Sequence, residues 1–170
     1  REALWTALTK GTVAVVSTDE AGFNASDKQR VADGPLDQIP NGLPGVSARL
    51  PVLFTEGVQA GRLSLERFVE LNCTNPARIF GLYPRKGVVA PGSDADLIII
   101  DPRRRVTLNT DTQQMPVDWC AYEEMEVAGY PAYTLLRGRV VVEQYHFCGQ
   151  AGYGQFLPGH IEPKYLEPLW

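Results

Sequence analysis

Histidine is scarce in this chain of 170 residues: only His146 and His160 occur, and they do not pair with each other at metal-binding spacing. Each reads as a surface or packing residue rather than a zinc ligand. Cysteine is nearly as rare. Cys73, Cys120 and Cys148 are far apart and odd in number, with no Cys-x-x-Cys pair, so neither a disulfide framework nor a thiolate zinc site is signalled, and reduced, buried thiols are expected. No apolar run approaches the ~18 residues of a membrane span, and Arg1-Glu2-Ala3-Leu4-Trp5 is not a charged-then-apolar leader, so a soluble cytoplasmic protein is expected. Positive charge is not in excess, with 16 Lys and Arg against 20 Asp and Glu and a net charge of −4. That disfavours nucleic acid, and Arg103-Arg104-Arg105 reads as a solvated turn. A glycine-rich phosphate loop, a nucleophile elbow and a Cys/His pairing are all missing.

What is present suits a folded protein: 44% of residues are hydrophobic and 21% charged, enough apolar mass for a sizeable core. Leu4, Trp5 and Leu8 at helical spacing predict a helix stopped by Gly11. Thr12-Val13-Ala14-Val15-Val16-Ser17 is continuous and β-branched, the pattern of a strand buried on both faces in a parallel sheet. Such a strand needs neighbours that nothing else in the chain supplies, and this predicts a piece of a larger fold. From Glu20 to Gly45 the sequence is polar and rich in Gly, Pro and Asn, a long loop of the sort that shapes sites.

Three short helices are expected next. Leu50, Leu53, Phe54 and Val58 form one apolar stripe, with Pro51 in its first turns. Ser64 caps a second helix bearing Leu65, Phe68, Val69 and Leu71. Thr74 or Asn75 caps a third, with Pro76 at its first position. After Lys86 the period becomes two: Val88-Val89, then 97–100, 106–108, 133–136 and 140–142 read as antiparallel strands punctuated by Pro91-Gly92, Asp101-Pro102 and Gly138. The last twenty residues hold glycines, prolines and aromatics and read as an extended tail that packs on a neighbouring surface.

Asp19, just past the end of the expected strand, is the sharpest candidate for chemistry, because α/β enzymes place catalytic groups at that end. A carboxylate there could ligate a metal, or relay a proton from attacking water to a leaving nitrogen. Position alone is equally compatible with Ser17-Thr18-Asp19 capping a turn. The loop Ile39-Pro40-Asn41-Gly42-Leu43-Pro44-Gly45 is the second candidate: its prolines and glycines fix the backbone so that peptide groups can face an amide ligand, although locally a rigid turn before a helix explains it as well. Asp94 and Asp96 read as turn formers.

Together these segments resemble the hydantoinase/dihydropyrimidinase branch of the amidohydrolase superfamily, over nearly the whole chain. The resemblance is carried by Val16-Ser17-Thr18-Asp19, by the 39–45 loop, by Gly61-Arg62-Leu63-Ser64-Leu65, by Gly92-Ser93-Asp94-Ala95-Asp96-Leu97 and above all by the block from Asn75-Pro76 to Gly87. It implies an α/β fold: the C-terminal end of a TIM (β/α)8 barrel plus strands of a small β-sandwich. Residues 1–84 would be the last barrel strand, active-site loop and helices, 85–148 the sandwich strands, and 149–170 an intersubunit tail.

Asp19 would match the aspartate that ligates one of two zinc ions and shuttles the proton, and Asn41 the loop asparagine whose backbone binds the cyclic amide. The family's His-x-His pair, carboxylated lysine and further histidines have no counterpart here. Glu20-Ala21 stands where the family usually has His-Cys.

The implied function is a zinc-dependent cyclic amidase opening hydantoins or dihydropyrimidines to N-carbamoyl amino acids. Its partner would be a small cyclic amide or imide, with homo-oligomerisation, tetrameric by resemblance, through sandwich and tail. The competing reading is a non-catalytic dihydropyrimidinase-related protein acting as an assembly or binding module. Retention of Asp19 and of the Asn41 loop argues against it.

Overall fold

Helix α1, Glu2–Lys10, carries Glu2 in its first turn and Lys10 in its last, complementing the helix dipole at both ends. Gly11 closes it at φ 86, a left-handed conformation that only glycine adopts without steric cost. The computed structural model describes residues 1–161, so the end of the expected tail, 162–170, lies outside the described residues. Helices and strands combine in an α/β fold, and the chain divides into two compact units.

The first unit comprises Arg1–Val16, Glu56–Asp101 and the chain from Pro131 onward. Here the expected strand at 12–17 is not formed. Its polar backbone is served by side chains instead: Arg67 donates to the Val13 carbonyl at 3.1 Å, Asn75 Nδ2 donates to the Ala14 carbonyl at 2.8 Å, and the Val13 amide turns back to Ala7. A β-branched run becomes a doubly buried strand only when parallel neighbours offer it a ladder, and none of the described strands pairs with it.

Helix α4, Leu65–Val69, starts at Ser64, whose hydroxyl accepts from the Arg67 amide as expected of a cap. It does not stop before the third expected helix. A π-helical stretch, Glu70–Thr74, joins it to α5, Asn75–Ile79, and Thr74 is helical rather than a cap, its hydroxyl donating to the Gly87 carbonyl at 2.8 Å. Pro76 has no N–H for the carbonyl four residues back, and the wider π turn accommodates its ring inside a continuous helix. The buried face of this helix supplies Phe68, Leu71 and Ala77 to a core that also holds Leu63. Leu71 is fully enclosed, and burying such a side chain is worth about 1.5–3 kcal/mol. Arg67 also binds α1, donating from Nε to the Leu8 carbonyl at 2.8 Å.

The second unit comprises Ser17–Thr55 and Pro102–Tyr130. The loop from Glu20 to Gly45 is less irregular than its composition suggests, holding α2, Ala25–Gln29, and a 3-10 turn, Leu36–Gln38. Asp118 and Trp119 pin its first part: the Ala25 amide donates to Asp118 Oδ1 at 2.7 Å, and Trp119 Nε1 donates to the Phe23 carbonyl at 2.7 Å. Helix α3, Arg49–Leu53, takes Pro51 in its first turn and runs into a π-helical stretch, Phe54–Gln59. Ala48, Leu108, Cys120 and Val127 make this unit's core, with Val52, Val106, Met125 and Tyr130 packed around it. Of the three thiols expected to be buried only Cys120 is, while Cys73 and Cys148 are exposed.

One four-stranded sheet, ordered β1-β2-β3-β4, is built from β1 Leu97–Thr107, β2 Glu126–Leu136, β3 Arg139–Glu143 and β4 His146–Phe147. β2 pairs antiparallel with β3, and β3 with β4. Two strands expected on either side of Asp101-Pro102 are a single one: β1 is the edge strand, where a proline's missing N–H costs no ladder bond. Val88-Val89 forms no strand. β2 begins seven residues before the expected 133–136, in a stretch that Gly129 and Pro131 disguise. Gly129, at φ 89, lies so close under the Phe54 ring that a Cβ would overlap it.

Candidate functional site

The segment that follows residue 16 brings both sequence candidates into the second unit. Asp19 is exposed and sits at φ 47, a left-handed backbone that aspartate tolerates better than most residues. Its neighbour Glu20 turns inward. One oxygen of the Glu20 carboxylate, Oε2, accepts from two successive amides of the candidate loop, Gly45 at 2.6 Å and Val46 at 2.9 Å. Ionised acceptors make roughly the strongest class of such bonds, so this loop end is tied to the residue beside Asp19.

Two further points hold the loop. Gly42, at φ 126, presses against Ala21 so closely that a Cβ would overlap its carbonyl oxygen and methyl group. Lys28 Nζ donates to the Pro40 carbonyl at 2.7 Å from helix α2. Asn41 lies between these two fastenings and is exposed. Pro44 and Gly45 are buried beneath the loop's far end. The dipeptide Glu20-Ala21 therefore forms the seat of the 39–46 segment, a role that the sequence did not declare. Its only signal was that these two residues depart from the pair usual in the resembled family.

The remaining oxygen of that carboxylate, Oε1, is buried with no hydrogen-bond partner, as is Ser47 Oγ. A Cβ at Gly22 would lie 3.3 Å from Oε1, 3.1 Å from Val117 Cγ1 and 3.5 Å from Met115 Cε, so a side chain at this position would crowd the carboxylate.

The histidines do not join this group: both are exposed and belong to the first unit, His146 on β4 and His160 after it. Nor do Asp94 and Asp96, which serve structure as expected. Asp94 Oδ2 accepts from Lys86 and Arg85 at 2.9 Å each, Lys86 also pairs with Asp96, and Asp96 Oδ1 accepts from the Arg137 amide at 2.7 Å. Hydrogen bonds from Lys86 and Arg85 hold the Asp94 carboxyl below the ordinary aspartate value. Burial pulls the Lys86 amine down, but its bonds to Asp94 and Asp96 outweigh that and leave it raised.

The family model described as Amidohydrolase family matches residues 1–141. The chain belongs to the amidohydrolase family. Its relatives within that family bear out the resemblance to hydantoinases. It is 40% identical over 157 residues to a D-hydantoinase of Geobacillus stearothermophilus and 41% identical over 157 residues to a D-phenylhydantoinase of Escherichia coli. Those alignments cover 92% of this chain but 33% and 34% of the relatives, so the amidohydrolase chain spans about a third of their length. The crystal structure of D-hydantoinase from Bacillus sp. AR9 superimposes with a TM-score of 0.90 at 42% identity, covering 95% of this chain and 36% of that one.

Amidohydrolases are generally metal-dependent, and a metal centre calls for several ligands converging on one point. Among the described residues no three His, Cys, Asp or Glu side chains stand close enough to share an ion. Asp19 offers one carboxylate, and the side chain beside it is spent on the loop. The residues present do not by themselves fit a metal centre.

Proposed function

We propose that this chain is the C-terminal part of a zinc-dependent cyclic amidase that hydrolyses the ring amide of hydantoins or dihydropyrimidines to N-carbamoyl amino acids. The observation that carries the reading is the fastening of the 39–46 loop to the two residues that follow Asp19. A carboxylate and a rigid stretch of backbone are thereby presented by one compact unit. Identity of about 40% with two hydantoinases along 92% of the chain supports the substrate class.

In this reading Asp19 takes the proton of the attacking water and delivers it to the ring nitrogen as the carbon–nitrogen bond breaks, a role that exposed carboxylates fill when the receiving atom lies within hydrogen-bond reach. The backbone at Asn41, between the Lys28 and Ala21 fastenings, binds the ring's amide edge and orients it. Asp19 would be this chain's contribution to a dinuclear zinc site completed by parts of the protein outside these residues. Residues 1–84 belong to the barrel end in this scheme, 85–148 to the sandwich and the rest to a tail through which a cytoplasmic homotetramer assembles.

The test is hydrolysis of hydantoin and dihydrouracil by the complete zinc-loaded protein. Turnover is expected, and Asp19→Asn should lower kcat by roughly 10²–10⁴-fold, the usual worth of a positioned acid–base group. A protein that binds zinc and opens neither ring, or an Asn variant with undiminished kcat, would refute the proposal.

A further inference from the structure

We propose that Glu20 is a positioning residue for the ring-binding loop, setting substrate affinity through the Gly45 and Val46 amides. This rests on reading the 39–46 segment as the substrate loop. Three observations carry it. The Glu20 carboxylate accepts from both amides with the same oxygen, at 2.6 and 2.9 Å. The other oxygen is buried without a hydrogen-bond partner, and a Cβ added at Gly22 would lie only 3.3 Å from it, so the chain packs closely beside this carboxylate. The adjacent residue, Ala21, meets Gly42 with no room for another carbon. Two consecutive side chains thus set the height of the loop at both of its ends, on either side of Leu43-Pro44.

A carboxylate with one oxygen buried and unanswered costs free energy. Its two charge-assisted bonds recover part of that cost only while the loop keeps this geometry. The arrangement therefore couples the shape of the loop to one residue that does not itself touch the ring. Glutamate and alanine stand here in place of the histidine and cysteine usual in the resembled family, and it is the glutamate carboxylate that accepts the two loop amides. It should tune which rings the loop accepts.

The experiment compares Glu20→Ala, Glu20→Gln and Ala21→Val by hydrogen exchange at the Gly45 and Val46 amides and by steady-state kinetics on hydantoin. Glu20→Ala should unprotect both amides, raise KM and lower kcat/KM by roughly 10- to 100-fold, the scale of a misplaced orienting group. Glu20→Gln keeps an acceptor oxygen and should restore both protection and KM to near the parent's. Ala21→Val, which pushes on Gly42 while leaving the carboxylate intact, should also raise KM and serves if Glu20→Ala does not fold. Unaltered exchange and KM in Glu20→Ala, or unaltered KM in Ala21→Val, would overturn the proposal, as would a Gln variant no better than Ala. Should the parent protein open no cyclic amide, the function proposed above fails, while amide exchange still decides whether Glu20 holds the loop.

Discussion

Replacing Gly129 by alanine puts the packing of the second unit to a quantitative test. Gly129 lies in β2 at φ 89, where an added Cβ would enter the ring of Phe54 at Cδ1 and Cε1. Two costs arise. Holding an L-residue in a left-handed backbone costs roughly 1–2 kcal/mol, and forcing a methyl group into a filled core costs about 1–3 kcal/mol more. The sum, roughly 2–5 kcal/mol, is a large share of the ~5–15 kcal/mol that holds a typical protein together. At about 2–4 °C per kcal/mol for a chain of this size, the midpoint of thermal unfolding should fall by roughly 4–20 °C.

Urea unfolding of parent and variant, followed by tryptophan fluorescence, measures the difference directly. Pairing the change with Phe54→Ala separates its two components. Removing the ring abolishes the overlap and leaves the backbone strain, so the two substitutions should be less than additive by about 1–3 kcal/mol. A Gly129→Ala protein within about 0.5 kcal/mol of the parent would show that β2 does not approach Phe54 as described.

Thr55 gives a second measure of the same unit. Its hydroxyl lies 2.7 Å from the Pro51 carbonyl and accepts from the Ala128 amide at 2.9 Å, so Thr55→Val should cost about 1–3 kcal/mol in urea unfolding by leaving a buried amide unpaired, whereas an unchanged midpoint would refute the pairing. The ion-pair group of Lys86, Asp94 and Asp96 sets the pH range of the first unit. The lowered Asp94 pKa means that its contribution is complete above the unfolded aspartate value of about 3.9 and is lost as pH falls through the depressed folded value. The raised Lys86 pKa means that its contribution is complete below the unfolded lysine value of about 10.4 and is lost as pH rises through the folded value. Denaturation midpoints across pH should lose the alkaline edge in Lys86→Met and keep a weakened acidic one, because Arg85 still faces Asp94, and unchanged edges would count against these pairs.

Local chemistry made much of this chain legible before its structure. Gly11 ends α1 because a left-handed residue needs no partner elsewhere to be recognised, and Ser64 caps α4 through an amide three residues away. The Ile39–Gly45 loop and Asp19 stood out as candidates because prolines, glycines and a carboxylate past a β-branched run are visible in a few neighbouring positions, although the strand that run implied before Asp19 is not formed. The same local view misjudged features whose cause lies far along the chain. The run at 12–17 has the composition of a central strand, yet strand formation depends on neighbours, and Arg67 and Asn75 bond its carbonyls instead. Pro102 looked like a break between strands because its tolerance on β1 depends on that strand being the edge.

The family, the close of α1 at Gly11 and the start of α4 at Ser64 were thus written in the sequence, since each rests on a pattern that occupies a few neighbouring positions. That Glu20 and Ala21 seat the loop, 25 and 21 residues away, emerged from the folded chain alone. A carboxylate's donors and a glycine's close neighbours are assigned by chain folding, and no periodicity records which partners those will be.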